Sequence, residues 1–423
     1  MSITILKGTV VSAPALGKLD VTENGYLVAE DGNIIGVFPA LPEQYAGAAV
    51  EDYGNALILQ SFADLHLHAP QYPMLGMGMD LPLLDWLNTY TFPTEARFAD
   101  PDYAREVYRK LARELIENGT TRVCMFSSLH RQATLILMEE LEKAGVTGYV
   151  GKVNMDRNGL PPVLQEETEE SKRETLLWLD QCRDFRHIKP ILTPRFTPSC
   201  TDGLLDFLGK LAAERGLPVQ SHLSENQGEI AWVRELCPDS KNYGDAYDAF
   251  GLFGGPGCPA VMAHCVYSDE EETALMKRRN VFAAHCPASN TNLSSGIAPV
   301  RRFLREGLSV GLGSDVAGGT HTSIFRAMAD AVQVSKLRWR LVDASLEPLT
   351  AKEAFCLGTM GGGAFFGKVG SFAPDYEFDA LVIDDRRYTS QVPSALEKRL
   401  EQTIYLSDER DIRHKFVQGR QIF

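Results

Sequence analysis

Residues 56–68 read ALILQSFADLHLH, an apolar run that ends in two histidines separated by one leucine. Side chains at i and i+2 of a strand leave the same face, so a strand here aims His66 and His68 at one point. Two converging neutral imidazoles make half of a site for a divalent transition metal; a hydrogen-bonded pair of core histidines is the alternative. The choice turns on where the remaining acids, bases and imidazoles fall.

Working outward, seven more short β-rich runs follow, ending at Ser127, Asn154, Phe196, Leu223, Cys265, Cys286 and Asp315. Helical patterns fill the gaps. Those over Asp102–Asn118, Gln132–Ala144 and Gly203–Arg215 are each followed by a glycine (Gly119, Gly145, Gly216), which suits a left-handed C-terminal cap. Another helix opens with Ser268 as the expected N-cap and Glu271 at the capping-box position. Eight β/α units in series predict an α/β fold, a parallel (β/α)8 TIM-like barrel, over residues 61–365. Both chain ends are β-rich ("ITILKGTVVSA", "FDALVIDD", "HKFVQGRQIF") and neither is long enough for a core of its own. Residues 1–60 and 366–423 are therefore expected to combine into one small composite β-sandwich domain. The stretch "GTMGGGAFFG" lacks nucleotide-loop spacing and reads as a helix that packs closely on a neighbour.

Composition narrows the partners. With a net charge of −14 over 423 residues there is no broad basic surface to meet a phosphate backbone, so nucleic acid is not expected. No apolar run reaches the ~18 residues of a membrane span, and "MSITILKGTVV" has no secretory pattern. The eight cysteines are scattered, with no C-x-x-C pair, which predicts reduced thiols in a cytoplasmic protein.

In a barrel of this kind the chemistry sits at the C-terminal ends of the strands. Those ends carry His66 and His68, Arg195, His222, His264, His285 and Asp315, so five of the nine histidines occupy these positions. Three imidazoles (His66, His68, His222) and one carboxylate (Asp315) suit one Zn²⁺ or Fe²⁺ with a position left for water, whose pKa such an ion lowers to about 7. Asp315 is placed to accept the water proton, His264 to orient the water, and Glu225 of "SHLSEN" to carry protons. The structural alternative for Glu225 is a carboxylate serving free amides at a helix start. The fourth strand end reads "TPRF" without a bridging lysine, and Lys189 lies at the wrong end of that strand, so one metal per subunit is expected.

These residues resemble a known family. H-x-H, "SHLSE", "HC" and "GSD" are similar to the mononuclear deaminase branch of the amidohydrolase superfamily. "HAPQYPMLGMGMDLPLLDWLNTYTFPTEARF", "TPRF", "HCPASN" and "GLGSDVAGG" resemble the guanine deaminase family in particular. The resemblance implies hydrolysis of guanine to xanthine and ammonia, zinc at His66, His68, His222 and Asp315, and commonly a homodimer. It places substrate contacts on Gln71, Arg195, Phe196, His222, Glu225 and Asp315. An amide and a guanidinium reading polar edges beside a phenyl wall suit a flat heterocycle. An ion pair across the barrel mouth is the alternative for Arg195, and a loop-to-backbone hydrogen bond that for Gln71. Trp86 and Phe92 read equally as a lid or as loop anchors, and no role is carried onto His130, His285 or His321. The same metal barrel could instead deaminate a triazine, a pterin or an oxidised purine. A barrel serving only as a scaffold would be expected to lose metal ligands, and here each expected one is present.

Overall fold

The computed structural model describes residues 2–388 and 395–423; of the C-terminal span expected in the β domain, residues 389–394 lie outside it. Four strands come first: β1 (Ile3–Ser12), β2 (Asp20–Glu30), β3 (Asn33–Phe38) and β4 (Glu51–Gln60). The barrel follows, beginning with β5 (Phe62–His68), β6 (Thr120–Phe126), β7 (Thr147–Gly151) and β8 (Val153–Asn154). It continues with β9 (Ile188–Pro190), β10 (Thr193–Pro194) and β11 (Val219–Leu223). The last barrel strands are β12 (Ala260–His264), β13 (Phe282–His285) and β14 (Ser309–Leu312). The chain ends with β15 (Ala380–Ile383), β16 (Ile412–Val417) and β17 (Arg420–Gln421).

The barrel consists of two parallel four-stranded ladders, β5-β6-β7-β9 and β11-β12-β13-β14, with β8 paired to β10. A parallel bridge between Leu192 and Val219 joins the ladders on one side. On the other, the chain after β14 donates Asp315 N–H to His66 O at 2.8 Å, and His68 N–H donates to Val316 O at 2.9 Å. The eight expected units are thus present, the third and fourth each split into two short pieces. Every residue of β5 and β6 is buried, as strands covered on both faces must be. Leu65, Cys124, Ile191, Val261, Phe282 and Ala284 fill the interior with Phe365, while Leu67, Val123 and Met125 face the surrounding helices.

Local signals set most helix ends. Arg131–Ala144 and Asp202–Arg215 stop at Gly145 (φ 77°) and Gly216 (φ 62°). Two expectations need correction. Pro101–Glu117 is capped by Asn118 rather than stopped by Gly119, because the extended Asn118 backbone leaves the helix and its side chain accepts Thr120 N–H at 2.9 Å. Glu270–Arg279 is capped by Asp269, not Ser268, since the Asp269 carboxylate accepts Glu272 N–H at 2.8 Å and its charge suits a helix N-terminus.

The strands expected as a sandwich are joined edge to edge in one seven-stranded sheet, ordered β17-β16-β15-β4-β1-β2-β3, in which only β1 and β4 run parallel. The run Ala56–Leu59 belongs to this sheet and not to the histidine strand. It pairs with β1 and β15, and the chain changes partners at Ser61. Buried ion pairs tie the sheet to the barrel: Arg122 of β6 holds Asp379 at 2.6 and 3.0 Å and Glu377 at 2.7 Å. Lys415 Nζ, fully buried, donates to the carbonyls of Leu115 and Asn118 at the end of the Pro101–Glu117 helix.

The glycine-rich stretch continues the helix Ala351–Cys356 beneath the barrel and delivers Phe365 to its interior. A Cβ at Gly361 would lie 2.6 Å from Val310 O of β14, and one at Gly362 would lie 3.0 Å from Ala63 Cβ of β5. Backbone cannot yield there as a flexible side chain would. Gly361→Ala is therefore expected to cost about 1–3 kcal/mol in urea unfolding, the range for overpacking a tight contact; unchanged stability would show that the segment can shift.

Candidate active site

The ends of β5, β11 and β12 and the turn after β14 carry four imidazoles and a carboxylate to one point. His68 Nε2 lies 3.1 Å from His222 Nε2, and Asp315 Oδ1 lies 3.2 Å from His66 Nε2 and 3.6 Å from His68 Nε2. The ring centroids of His66 and His68 are 4.9 Å apart, as i, i+2 positions on one strand require. Asp315 comes from the turn, three residues beyond the ladder, with φ 47°; His264 and Ser224 are also left-handed, at φ 75° and 46°. Such backbone costs about 1–3 kcal/mol per residue where no glycine sits, and it clusters at functional sites. Asp64 supports the turn: its carboxylate accepts Ser314 N–H (3.0 Å), Ser314 Oγ–H (2.5 Å) and His66 N–H (3.2 Å).

This donor set fits a divalent metal. Tetrahedral coordination with bonds of about 2.0–2.1 Å separates ligand atoms by about 3.3 Å, close to the His68–His222, His66–Asp315 and His68–Asp315 separations. His66 Nε2 is buried with no hydrogen-bond partner, and His222 donates Nδ1–H to Arg195 O at 2.6 Å, which leaves its Nε2 lone pair facing the cluster. Protonation states agree. Burial, then neighbouring imidazoles, hold His68 and His222 well below the ordinary histidine range, and burial lowers His66. Burial works against the Asp315 charge, but His66, His264 and His68 hold that carboxyl well below its usual range. Neutral imidazoles around an ionised carboxylate are the forms that bind metal.

Beside the cluster, His264 donates Nδ1–H to Asn290 Oδ1 at 2.8 Å, which directs Nε2 to Glu225 Oε2 (3.4 Å) and Asp315 Oδ2 (3.7 Å). Burial pulls His264 down, yet these carboxylates raise it above its ordinary value. Burial raises Glu225, whose other oxygen accepts Ser295 Oγ–H at 3.1 Å. The helix-start role weighed for Glu225 belongs to Glu229, which accepts Glu225 N–H (3.1 Å) and Asn226 N–H (3.4 Å). The Glu225 side chain is thereby left for the pocket.

That pocket is lined by His68, Gln71, Arg195, Phe196, His222, Glu225, His264 and Asp315, with Leu83, Trp86, Leu87, Glu229 and Leu293. The structural alternatives for Gln71 and Arg195 coexist with this placement. Gln71 Oε1 accepts Ala317 N–H at 3.1 Å and its Nε2 donates to Glu95 at 2.9 Å, while Arg195 pairs with Glu95 at 2.5 and 3.1 Å. Trp86 both lines the pocket and anchors its loop, donating Nε1–H to Met77 O at 2.9 Å; Phe92 lies under the Arg195 guanidinium at 5.1 Å.

Not every strand-end histidine joins. His285 is buried at the end of β13 and belongs to neither of the two groups of potential metal ligands found among the described residues, His66–His68–His222 and His66–His264–Asp315. His321 pairs with Asp330 at 3.2 Å, and Lys189 donates to Phe185 O. Asp64, Glu95, Glu229 and Asn290 were not singled out from sequence, and only two left a trace. Asp64 precedes His66 by two residues, and Glu229 follows Asn226 at capping-box spacing; Glu95 meets partners 24 and 100 residues away.

Burial holds His285 at about 4, below its ordinary 6.5. The unfolded chain then binds the extra proton between those values, so stability falls as pH drops from about 6.5 to 4, by up to about 3 kcal/mol. His285→Leu is expected to flatten that acid limb in urea unfolding measured across the window; an unchanged slope would assign it to other groups.

Comparison with known proteins agrees with this geometry. The sequence profile of the amidohydrolase family matches residues 57–422. Guanine deaminase of Mus musculus is 42% identical over 87% of this chain and 83% of its own, and that of Dictyostelium discoideum 36% over 99% and 98%. The crystal structure of guanine deaminase from C. acetobutylicum, with guanine bound in its active site, superposes with a TM-score of 0.97 at 46% identity, covering 100% of both chains. With a family profile over most of its length and full-length relatives above one-third identity, the chain belongs to the amidohydrolase family, in its guanine deaminase group.

Proposed function

We infer that this chain hydrolyses guanine to xanthine and ammonia at the pocket beside the histidine–aspartate cluster. The observation that carries the reading is that one pocket brings Gln71, Arg195, Phe196 and Glu225 against that cluster, in a chain whose full-length relatives are guanine deaminases. His66, His68, His222 and Asp315 would hold one divalent metal, whose Lewis acidity makes water nucleophilic near neutral pH. Zinc is the finer reading, from three nitrogens and one carboxylate.

The residues divide the remaining work. Gln71 keeps one amide N–H and an oxygen lone pair beyond its contacts with Glu95 and Ala317, and Arg195 keeps N–H donors beyond Glu95, so both can read the polar edge of the base. Phe196 forms an apolar wall. Asp315 accepts a proton as water oxygen adds to the ring carbon that bears the amine, and His264, placed between Glu225 and Asp315, orients the oxygen. Glu225, whose carboxyl burial raises above its ordinary value, passes a proton to the adjacent ring nitrogen, takes up the proton of the newly added hydroxyl, and delivers it to the leaving amine as the C–N bond breaks and the C=O forms. A cytoplasmic setting is supported by eight unpaired thiols, seven of them buried, and homodimer assembly by the family resemblance.

Glu225→Gln is expected to lower kcat about 10²–10⁴-fold with metal content unchanged, the range for losing a proton-transfer group. Turnover near the parent rate would remove Glu225 from proton transfer. Arg195→Ala should raise the guanine KM about 10- to 100-fold while metal content holds; loss of metal instead would make Arg195 structural. Xanthine formation, followed by ultraviolet absorbance, should stop with chelator and return with one equivalent of zinc. Full metal occupancy without guanine turnover would reject the substrate.

A further inference from the structure

Glu95 lies behind the pocket, 1% exposed, and grips both of the polar side chains read as contacts for the base. Its two oxygens take two parallel N–H donors of Arg195 at 2.5 and 3.1 Å, and Oε1 also accepts from Gln71 Nε2 at 2.9 Å. Among the described residues it is the carboxylate that pairs with Arg195. A carboxylate only accepts and the Ala317 N–H only donates, so the Gln71 amide is held in one orientation, nitrogen to Glu95 and oxygen to Ala317. One helix turn supplies the whole clamp: Phe92 and Glu95 stand three residues apart on Phe92–Ala96, the ring under the guanidinium at 5.1 Å and the carboxylate at its edge.

We propose that Glu95 is a positioning residue that sets the charge of the purine this site accepts, cancelling Arg195 so that the pocket takes a neutral base and rejects an anionic one. The proposal rests on the guanine reading of the pocket. A buried guanidinium without its carboxylate is an uncompensated charge, and an anionic ligand is the partner that would relieve it. With Glu95 in place that charge is already paired, and an anion entering beside it meets the Glu95 carboxylate as well. Discrimination of this kind comes from a repulsive group as much as from an attractive one.

The test compares guanine, neutral at pH 7, with urate, a purine that is a monoanion there, using zinc-loaded protein. Glu95→Gln is expected to lower kcat/KM for guanine about 100-fold, mainly through KM. The same change should tighten urate binding, measured directly by calorimetry, about tenfold. Glu95→Asp, which keeps the charge, should retain the preference of the parent protein for guanine. The double variant Glu95→Gln/Arg195→Gln should lose the urate gain. Parallel weakening of guanine and urate in Glu95→Gln would overturn the proposal and leave Glu95 a structural residue. Should Glu95→Gln not fold, tighter urate binding in Glu95→Asp would overturn it equally. A parent protein that never turns over guanine would reject the substrate reading, whereas the urate comparison, read by binding alone, would still decide the role of the charge.

Discussion

The hydrogen bond from Asp315 N–H to His66 O, 2.8 Å long, is the closure on which the active site depends. It joins the first barrel strand to the chain leaving the last one, and so brings a carboxylate 249 positions away in sequence beside the two histidines of β5. Asp64 reinforces the same seam by accepting three donors from both sides of it. Without that closure the imidazoles would converge on no carboxylate, and the left-handed backbone at Asp315 would have nothing to hold it.

The second constraint is electrostatic. The cluster is buried, so every charge in it needs a partner of opposite sign or a donor aimed at it. The structure meets this need in layers. Neutral imidazoles surround ionised Asp315; His264 stands between Asp315 and Glu225; Glu229 takes up the backbone amides at the start of the next helix; and Glu95 answers Arg195. The same burial that makes unpaired charge costly raises the Glu225 carboxyl above its ordinary value.

Much of the architecture was legible because its causes are local. The i, i+2 spacing of His66 and His68, the caps at Gly145 and Gly216 and the eight β/α cycles each depend on a few neighbouring residues. Where a distant partner competes, local reading failed. Ala56–Leu59 looks continuous with the histidine strand, yet β1 and β15 claim it for the terminal sheet. Ser268 looks like an N-cap, yet the neighbouring carboxylate is the better acceptor at a helix start. His285 occupies a strand end like the other histidines, but it joins neither group of potential metal ligands among the described residues.

The sequence by itself therefore determined the barrel, the identity of the residues His66, His68, His222, His264 and Asp315 as a candidate cluster, and the family, because strand periodicity and motif spacing are written along the chain. Only the tertiary structure decided how those residues are oriented and charged. It showed that Asn290 fixes the His264 ring, that Glu229 rather than Glu225 serves the helix start, and that Glu95 holds Gln71 and Arg195 together. The Asn290 and Glu95 contacts join residues 24 to 100 positions apart, and the energy that selects them exists only once the barrel has closed and water has been excluded.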